Sequence, residues 1–312
     1  MTAQELTNLG VCGAGNAMGF NVDNGCPEDF KKDYTTWFLD TSLEIPSTQE
    51  INETYIKSLQ SSGKLIIVPR MSNLTDIGSD DTTETQEDDT IVTTTEGKYR
   101  FEMTYNHSMY FNKALGSIEG FGNYRMVRID IKGNMLLTEG ASGGVRGFAT
   151  NEIKRGKQQV AKSAASAKRM LRVQLANRFE TDDNYVLWKR ENLGFDPRNI
   201  APVTQIFLSL TAVPSDTDTT ISVKAVVDRG RKTALSGALF GQWLNKVNGS
   251  TSNPTAGDDS TTAGTYPLTV AALSTNDTGT ISLYDNSGNS SVVDIAGFGL
   301  VKSNTLAYTV TA

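Results

Sequence analysis

Apolar and polar residues alternate with a period of two at several points, and this pattern constrains the fold more than any other. Between Lys98 and Tyr105, the residues Tyr99, Phe101, Met103 and Tyr105 alternate with Lys98, Arg100, Glu102 and Thr104. That is a strand with one buried and one wetted face. Ile206, Leu208 and Leu210 repeat the pattern, as do Ile221, Val223, Ala225 and Val227. Shorter strands are expected at 268–272, 280–284, 292–295 and 306–310, punctuated by Gly, Asn, Asp and Pro. A chain written this way is mostly β.

Its 312 residues suit two domains. Composition shifts near Pro197–Pro202, beyond which Thr, Ser, Asp, Asn and Gly dominate. We therefore expect an irregular N-terminal segment over 1–30, a larger β domain over 31–198, a linker, and a β-sandwich over 203–312. Within the larger domain, Ser47 and Glu50 have capping-box spacing ahead of Ile51, Tyr55 and Leu59, with Gly63 as the stop. A second helix should carry Phe111, Ala114, Leu115 and Ile118 on one stripe, ended by Gly120 and Gly122. Val127, Ile129 and Ile131 mark a strand, turning at Lys132-Gly133-Asn134 into Met135-Leu136-Leu137.

Two segments carry opposite charge. Residues 71–97 contain Asp76, Asp80, Asp81, Glu84, Glu87, Asp88 and Asp89 and no basic residue, with Thr in most gaps. Repulsion and scarce apolar groups predict a long loop or mobile arm. Residues 154–172 contain Lys154, Arg155, Lys157, Lys162, Lys168, Arg169 and Arg172 and no acidic residue. They read as an extended basic arm leading into a strand through Leu171, Val173 and Leu175. These fourteen side chains are either two solvated faces or complementary contacts between subunits, where charge would fix register and orientation.

Signals for chemistry are weak. One histidine, His107, rules out a histidine-based triad or a two-histidine metal site within one chain. Gly13 to Gly19 lacks the flanking strand and helix of a nucleotide loop, and Gly140 to Gly144 lacks the Gly-Lys-Ser/Thr of a phosphate loop. Cys12 and Cys26 match no zinc or redox spacing and are expected to be free thiols. Trp37, Trp188 and Trp243 are expected as core or interface anchors. A net charge of −6 argues against a dedicated DNA-binding protein. No secretory signal or membrane-spanning run is read. The chain is expected to be no enzyme and to need no cofactor or metal.

From Gly97 to about Glu180 the order of elements carries a resemblance. It runs Gly97-Lys98-Tyr99-Arg100-Phe101, a helix with Phe111-Asn112-Lys113-Ala114-Leu115, the strand Met126–Ile131 and the turn Lys132-Gly133-Asn134. Gly147-Phe148, a long arm and a last strand follow. Over roughly residues 30–200 this resembles the tail tube proteins of tailed phages, and the C-terminal segment resembles immunoglobulin-like domains of virion proteins. The resemblance implies packed β-sheets with a flanking helix, then an Ig-like β-sandwich. It implies a virion tail subunit, assembled in the host bacterial cytoplasm, whose partners are itself and other tail proteins. Copies would close into a ring, usually a hexamer, and rings would stack into a tube that passes DNA as non-specific cargo. The Ig-like domain would make weak glycan contact, and no membrane is involved. The alternatives are a capsid decoration or head-fibre protein, and a carbohydrate-binding module using Tyr266, Tyr284, Tyr308 or Trp243 as platforms.

Overall fold

The computed structural model describes residues 1–10, 30–157, 159, 167–227, 233–259 and 262–312. The chain is mostly β, with several antiparallel sheets. It divides into two compact units, Met1–Ile56 with Lys64–Ile200, and Lys57–Gly63 with Ala201–Ala312. No helix among the described residues is long and apolar enough to cross a membrane.

The first unit opens with α1 (Ala3–Gly10), β1 (Asp33–Asp40), α2 (Glu53–Ser61, of which Lys57 onward counts with the second unit), β2 (Leu65–Ile67), β3 (Asn73–Asp76), β4 (Thr82–Thr85) and β5 (Ile91–Thr95). It continues with β6 (Arg100–Tyr105), α3 (Met109–Leu115), β7 (Gly120–Phe121), β8 (Tyr124–Asp130), β9 (Met135–Glu139) and β10 (Val145–Arg146). β11 (Phe148–Arg155), β12 (Arg169–Leu175), α4 (Phe179–Asp182), β13 (Tyr185–Trp188) and α5 (Arg190–Leu193) complete it. Strands pair in the order β10-β9-β8-β11-β12-β6-β3, with β1 also on β8.

β11 belongs to two layers. Phe148 and Ala149 pair with Met126 and Arg125 of β8, whereas Glu152 to Arg155 pair with β12 after a register shift. A strand that changes partners in this way turns a corner between packed sheets. The core then fills from both sides. Phe38 of β1 and Met126 of β8 cluster with Phe101, Met103 and Tyr105 of β6 and with Leu171, Val173 and Leu175 of β12. The Thr36 hydroxyl donates to the Met103 sulphur across this core, at 3.6 Å. Each large apolar side chain so buried contributes about 1.5–3 kcal/mol.

The structure corrects several sequence expectations. Residues 1–30 are not irregular throughout, because α1 forms over the first ten and buries Ala3 and Leu6. Thr2 and Glu5 cap it reciprocally, Thr2 N–H to Glu5 Oε2 at 2.7 Å and Glu5 N–H to Thr2 Oγ1 at 3.3 Å. Helix α2 begins later than Ser47, since Asn52 Oδ1 accepts from Tyr55 N–H at 2.8 Å and serves as its cap. Helix α3 stops at Leu115 and Ile118 lies in the 3-10 turn Gly116–Ile118 that follows; Leu115 and Ile118 face the core but Ala114 is exposed. Ile131 is also exposed and sits in the turn after β8, where buried Asp130 accepts from the Lys132 and Asn134 amides. Pro197–Pro202 is not a free linker at its start: Pro197–Asn199 is a 3-10 turn with Pro197 buried, and Ile200 is buried too.

The second unit contains β14 (Thr204–Leu210), β15 (Thr220–Val227), β16 (Thr233–Ala234), β17 (Trp243–Val247) and β18 (Ser250–Thr251). β19 (Thr265–Thr269), β20 (Thr278–Leu283), β21 (Val293–Ile295), β22 (Gly299–Ser303) and β23 (Leu306–Thr309) follow. One sheet runs β16-β15-β14-β22-β21, with β19 on β15, and the other runs β18-β17-β20-β23. A single core joins them, with Ile206, Val223, Tyr266 and Val301 from the first sheet against Trp243, Ile281, Leu283 and Tyr308 from the second.

Candidate functional site: two charged hairpins

The acidic segment 71–97 is not a structureless loop. β3 extends the first unit's sheet by pairing with β6, Asp76 opposite Phe101. β4 and β5 then form a separate two-stranded hairpin, with Glu84 opposite Val92 and Thr85 opposite Ile91. The Thr, Ile and Val that separate the acids are β-branched and favour strand, which outweighs repulsion between well-solvated charges. Asp89 turns the tip with φ at 62°, a conformation that Asp tolerates. Every residue from Thr75 to Glu96 is exposed. The hairpin therefore contributes nothing to its own unit's core.

The basic segment 154–172 likewise includes the facing ends of two antiparallel strands. Lys154 and Arg155 finish β11, Arg169 and Arg172 lie in β12, and Gln159 bridges Lys168 between them. Lys162 lies outside the described residues, as do Cys12, Cys26 and Gly13–Gly19.

The two hairpins leave opposite ends of one strand pair. β6 and β12 are antiparallel, with Arg100 opposite Gln174 and Tyr105 opposite Arg169. The acidic hairpin enters at Arg100, and the basic one enters at Arg169. About 17 Å of strand separates these ends.

Not all fourteen candidate side chains are free for a partner. Arg155 donates from N–H and Nε to Glu119, both at 2.8 Å. Arg172 Nε meets Glu102 at 2.8 Å. Arg169 is 3% exposed and donates to the Gln159 and Lys168 carbonyls. Asp76 accepts from Gly78 N–H at 2.8 Å, and Asp81 accepts from Gly97 N–H at 2.7 Å and from Arg178 Nη1 at 2.6 Å. By contrast, Asp80, Glu84, Glu87, Asp88 and Asp89 make no ion pair among the described residues, and neither do Lys154, Lys157 and Lys168. All eight are exposed.

Sequence reasoning missed Arg178, the centre of the network at the acidic hairpin's base. Its Nε donates to Asp182 Oδ2 at 2.7 Å, and Asp182 Oδ1 accepts from the Tyr99 hydroxyl at 2.5 Å. The four-residue spacing of Arg178 and Asp182 was the available signal. The Gly97 amide, aided by Arg178, holds the Asp81 carboxyl below its usual range. Burial opposes the same effect at Asp182, but hydrogen bonds from Tyr99 and Arg178 prevail and lower it too. An open recess of about 570 Å³ lies here, lined in part by Asp80, Asp81, Lys98, Tyr99 and Arg178.

Rival sites are filled from within the chain. In the Gly140–Gly144 turn, the Ser142 and Gly144 amides both donate to Glu44 Oε1 at 3.1 Å, so a carboxylate already sits where an anion would. Trp243 and Tyr266 are fully buried and Tyr308 is 5% exposed, which removes three of the four sugar-stacking candidates. The fourth, Tyr284, is half-buried and its hydroxyl donates to Asn289. No known family model matches the chain, and no curated protein is significantly similar to it.

Proposed function

We propose that the chain is a structural subunit that associates head to tail with its own copies, and specifically a tail tube subunit of a tailed phage. One observation carries this reading: an acidic hairpin and a basic hairpin, each with exposed charges that make no ion pair among the described residues, stand at opposite ends of the β6–β12 pair. Two different, complementary surfaces at opposite poles are what a heterologous contact requires, and repetition of that contact gives rings or filaments. A self-complementary two-fold dimer would need no such polarity. The exposed β4–β5 hairpin also fits, because an isolated two-stranded hairpin is marginal alone and gains from a partner.

The same charges suit a conduit for DNA. Each lysine or arginine on a phosphate adds affinity by counterion release, and the net charge of −6 keeps the subunit as a whole repulsive to DNA. The three intrachain arginines Arg155, Arg169 and Arg172 are held by carboxylates or carbonyls and offer little to phosphate. In this reading the second unit is an Ig-like sandwich on the outer surface.

Negative-stain electron microscopy of the purified chain across a concentration and salt series tests the proposal. Hollow tubes or stacked rings of uniform diameter, lost at high salt, are the expected result. A monomer at every concentration and salt, even with preformed tail initiator complex added, would overturn it and favour a capsid decoration or head-fibre role.

A further inference from the structure

We propose that Arg178 is a latch that sets the angle of the acidic hairpin, and that its release frees the hairpin to swing. The inference concerns the single chain and stands whether or not copies assemble. The backbone ladder running out from β3 and β6 ends at the Ser79–Lys98 bridge and resumes only at Thr82 opposite Thr95. In the gap, the Gly97 amide donates to the Asp81 side chain instead of to a facing carbonyl. The sheet is thus interrupted at one level, and a side chain closes the break.

The strands cross closely there. A Cβ on Gly78 would overlap the Lys98 carbonyl, and one on Gly97 would overlap the Ser79 carbonyl. Gly78 stands just before the break on one strand and Gly97 within it on the other, and glycine there gives the base the backbone freedom of a hinge. A side-chain tie between the hairpin base and the body is Arg178, which holds Asp81 of the hairpin with one arm and Asp182 of α4 with the other. Tyr99 braces Asp182 in turn, so the body side of the latch is fixed and the hairpin side is the one that lets go. The adjoining recess leaves room for the movement.

The strength of the tie suits a switch. Side chains of Arg178 and Asp81 are 44% and 38% exposed, and exposed pairs of this kind are weak and screened by salt. A competing lysine from a partner could displace Arg178 from Asp81 without opening the core.

Hydrogen exchange on the monomeric full chain, read by mass spectrometry, tests the latch with Arg178→Gln, Asp81→Asn and the double variant. Peptides within 79–97 should exchange about three- to fivefold faster in either single variant. The double variant should be no faster than the quicker single one, and wild-type protein in molar salt should approach the same rate. Peptides over 100–105 and 169–175 should not change. Unaltered hairpin exchange in Arg178→Gln would overturn the proposal. So would full additivity in the double variant, or equal acceleration in the strand peptides.

Discussion

The phenol ring of Tyr308 lies across Gly279, its direct partner on the neighbouring strand, in a space that any Cβ would occupy. The hydroxyl is thereby placed to donate to Asn245 Oδ1 at 2.9 Å inside the second unit's core. Gly279→Ala should force the ring out of position and cost about 1–3 kcal/mol. Urea unfolding followed by the indole N–H resonance of Trp243 reads the loss. An unchanged midpoint would show that the ring can move without penalty.

A buried ion pair ties α4 to the corner of the first unit. Arg125 Nη2 meets Glu180 Oε1 at 2.6 Å, with side chains 9% and 6% exposed, and Glu180 Oε2 accepts the Ala149 amide at 2.7 Å. Removing Arg125 leaves Glu180 with the more distant Arg146, at 3.4 Å, and the Ala149 amide, so Arg125→Met should destabilise towards the low end of about 3–5 kcal/mol. The paired change Arg125→Met with Glu180→Leu should recover part of it, and thermal denaturation of the three variants checks the order.

The latch carboxylate has a defined pH dependence. Asp81 is held below its usual range by the Gly97 amide and by Arg178. Its contribution is complete above the unfolded value of about 3.9 and is lost as pH falls through the depressed folded value. The Gly97 amide resonance should therefore titrate with a midpoint below about 3.9, and Asp81→Asn should abolish that titration. A midpoint at or above the ordinary value would contradict the geometry.

Charge reversal addresses assembly directly. Changing Lys154, Lys157 and Lys168 to Glu should prevent stacking, and so should changing Glu84, Glu87, Asp88 and Asp89 to Lys. Mixing the two variants should restore both contacts between unlike partners, one native and one charge-swapped, giving stacks in which the two variants alternate. Sedimentation velocity distinguishes these outcomes. Assembly by either variant alone would remove the hairpins from the interface.

How far the sequence disclosed all this depended on distance along the chain. Strands such as β6 and β15 were legible because one face is buried and the alternation is unbroken. β17 was hidden because Asn245 occupies a fully buried position, where Tyr308, far along the chain, satisfies it. α1 was missed although Thr2 and Glu5 stand at capping spacing, because the Gly- and Asn-rich stretch after it set the reading. The charged segments themselves were plain in the sequence. Their forms as hairpins, and their placement at opposite ends, depend on the β6–β12 register, which links residues about seventy apart. The commitment of Arg155 to Glu119 and of Asp81 to Arg178 is equally non-local.

Because β11 is shared by both layers, one layer can slide over the other only by breaking the ladder at this corner. A pull on the basic hairpin runs along β11 and β12 together, and the bonds joining them to β8 and to β6 lie across that direction. They are loaded together in shear instead of being peeled one by one. Mechanical tension between copies would be spread over the whole corner, so the subunit should resist stretching far better along this axis than across it.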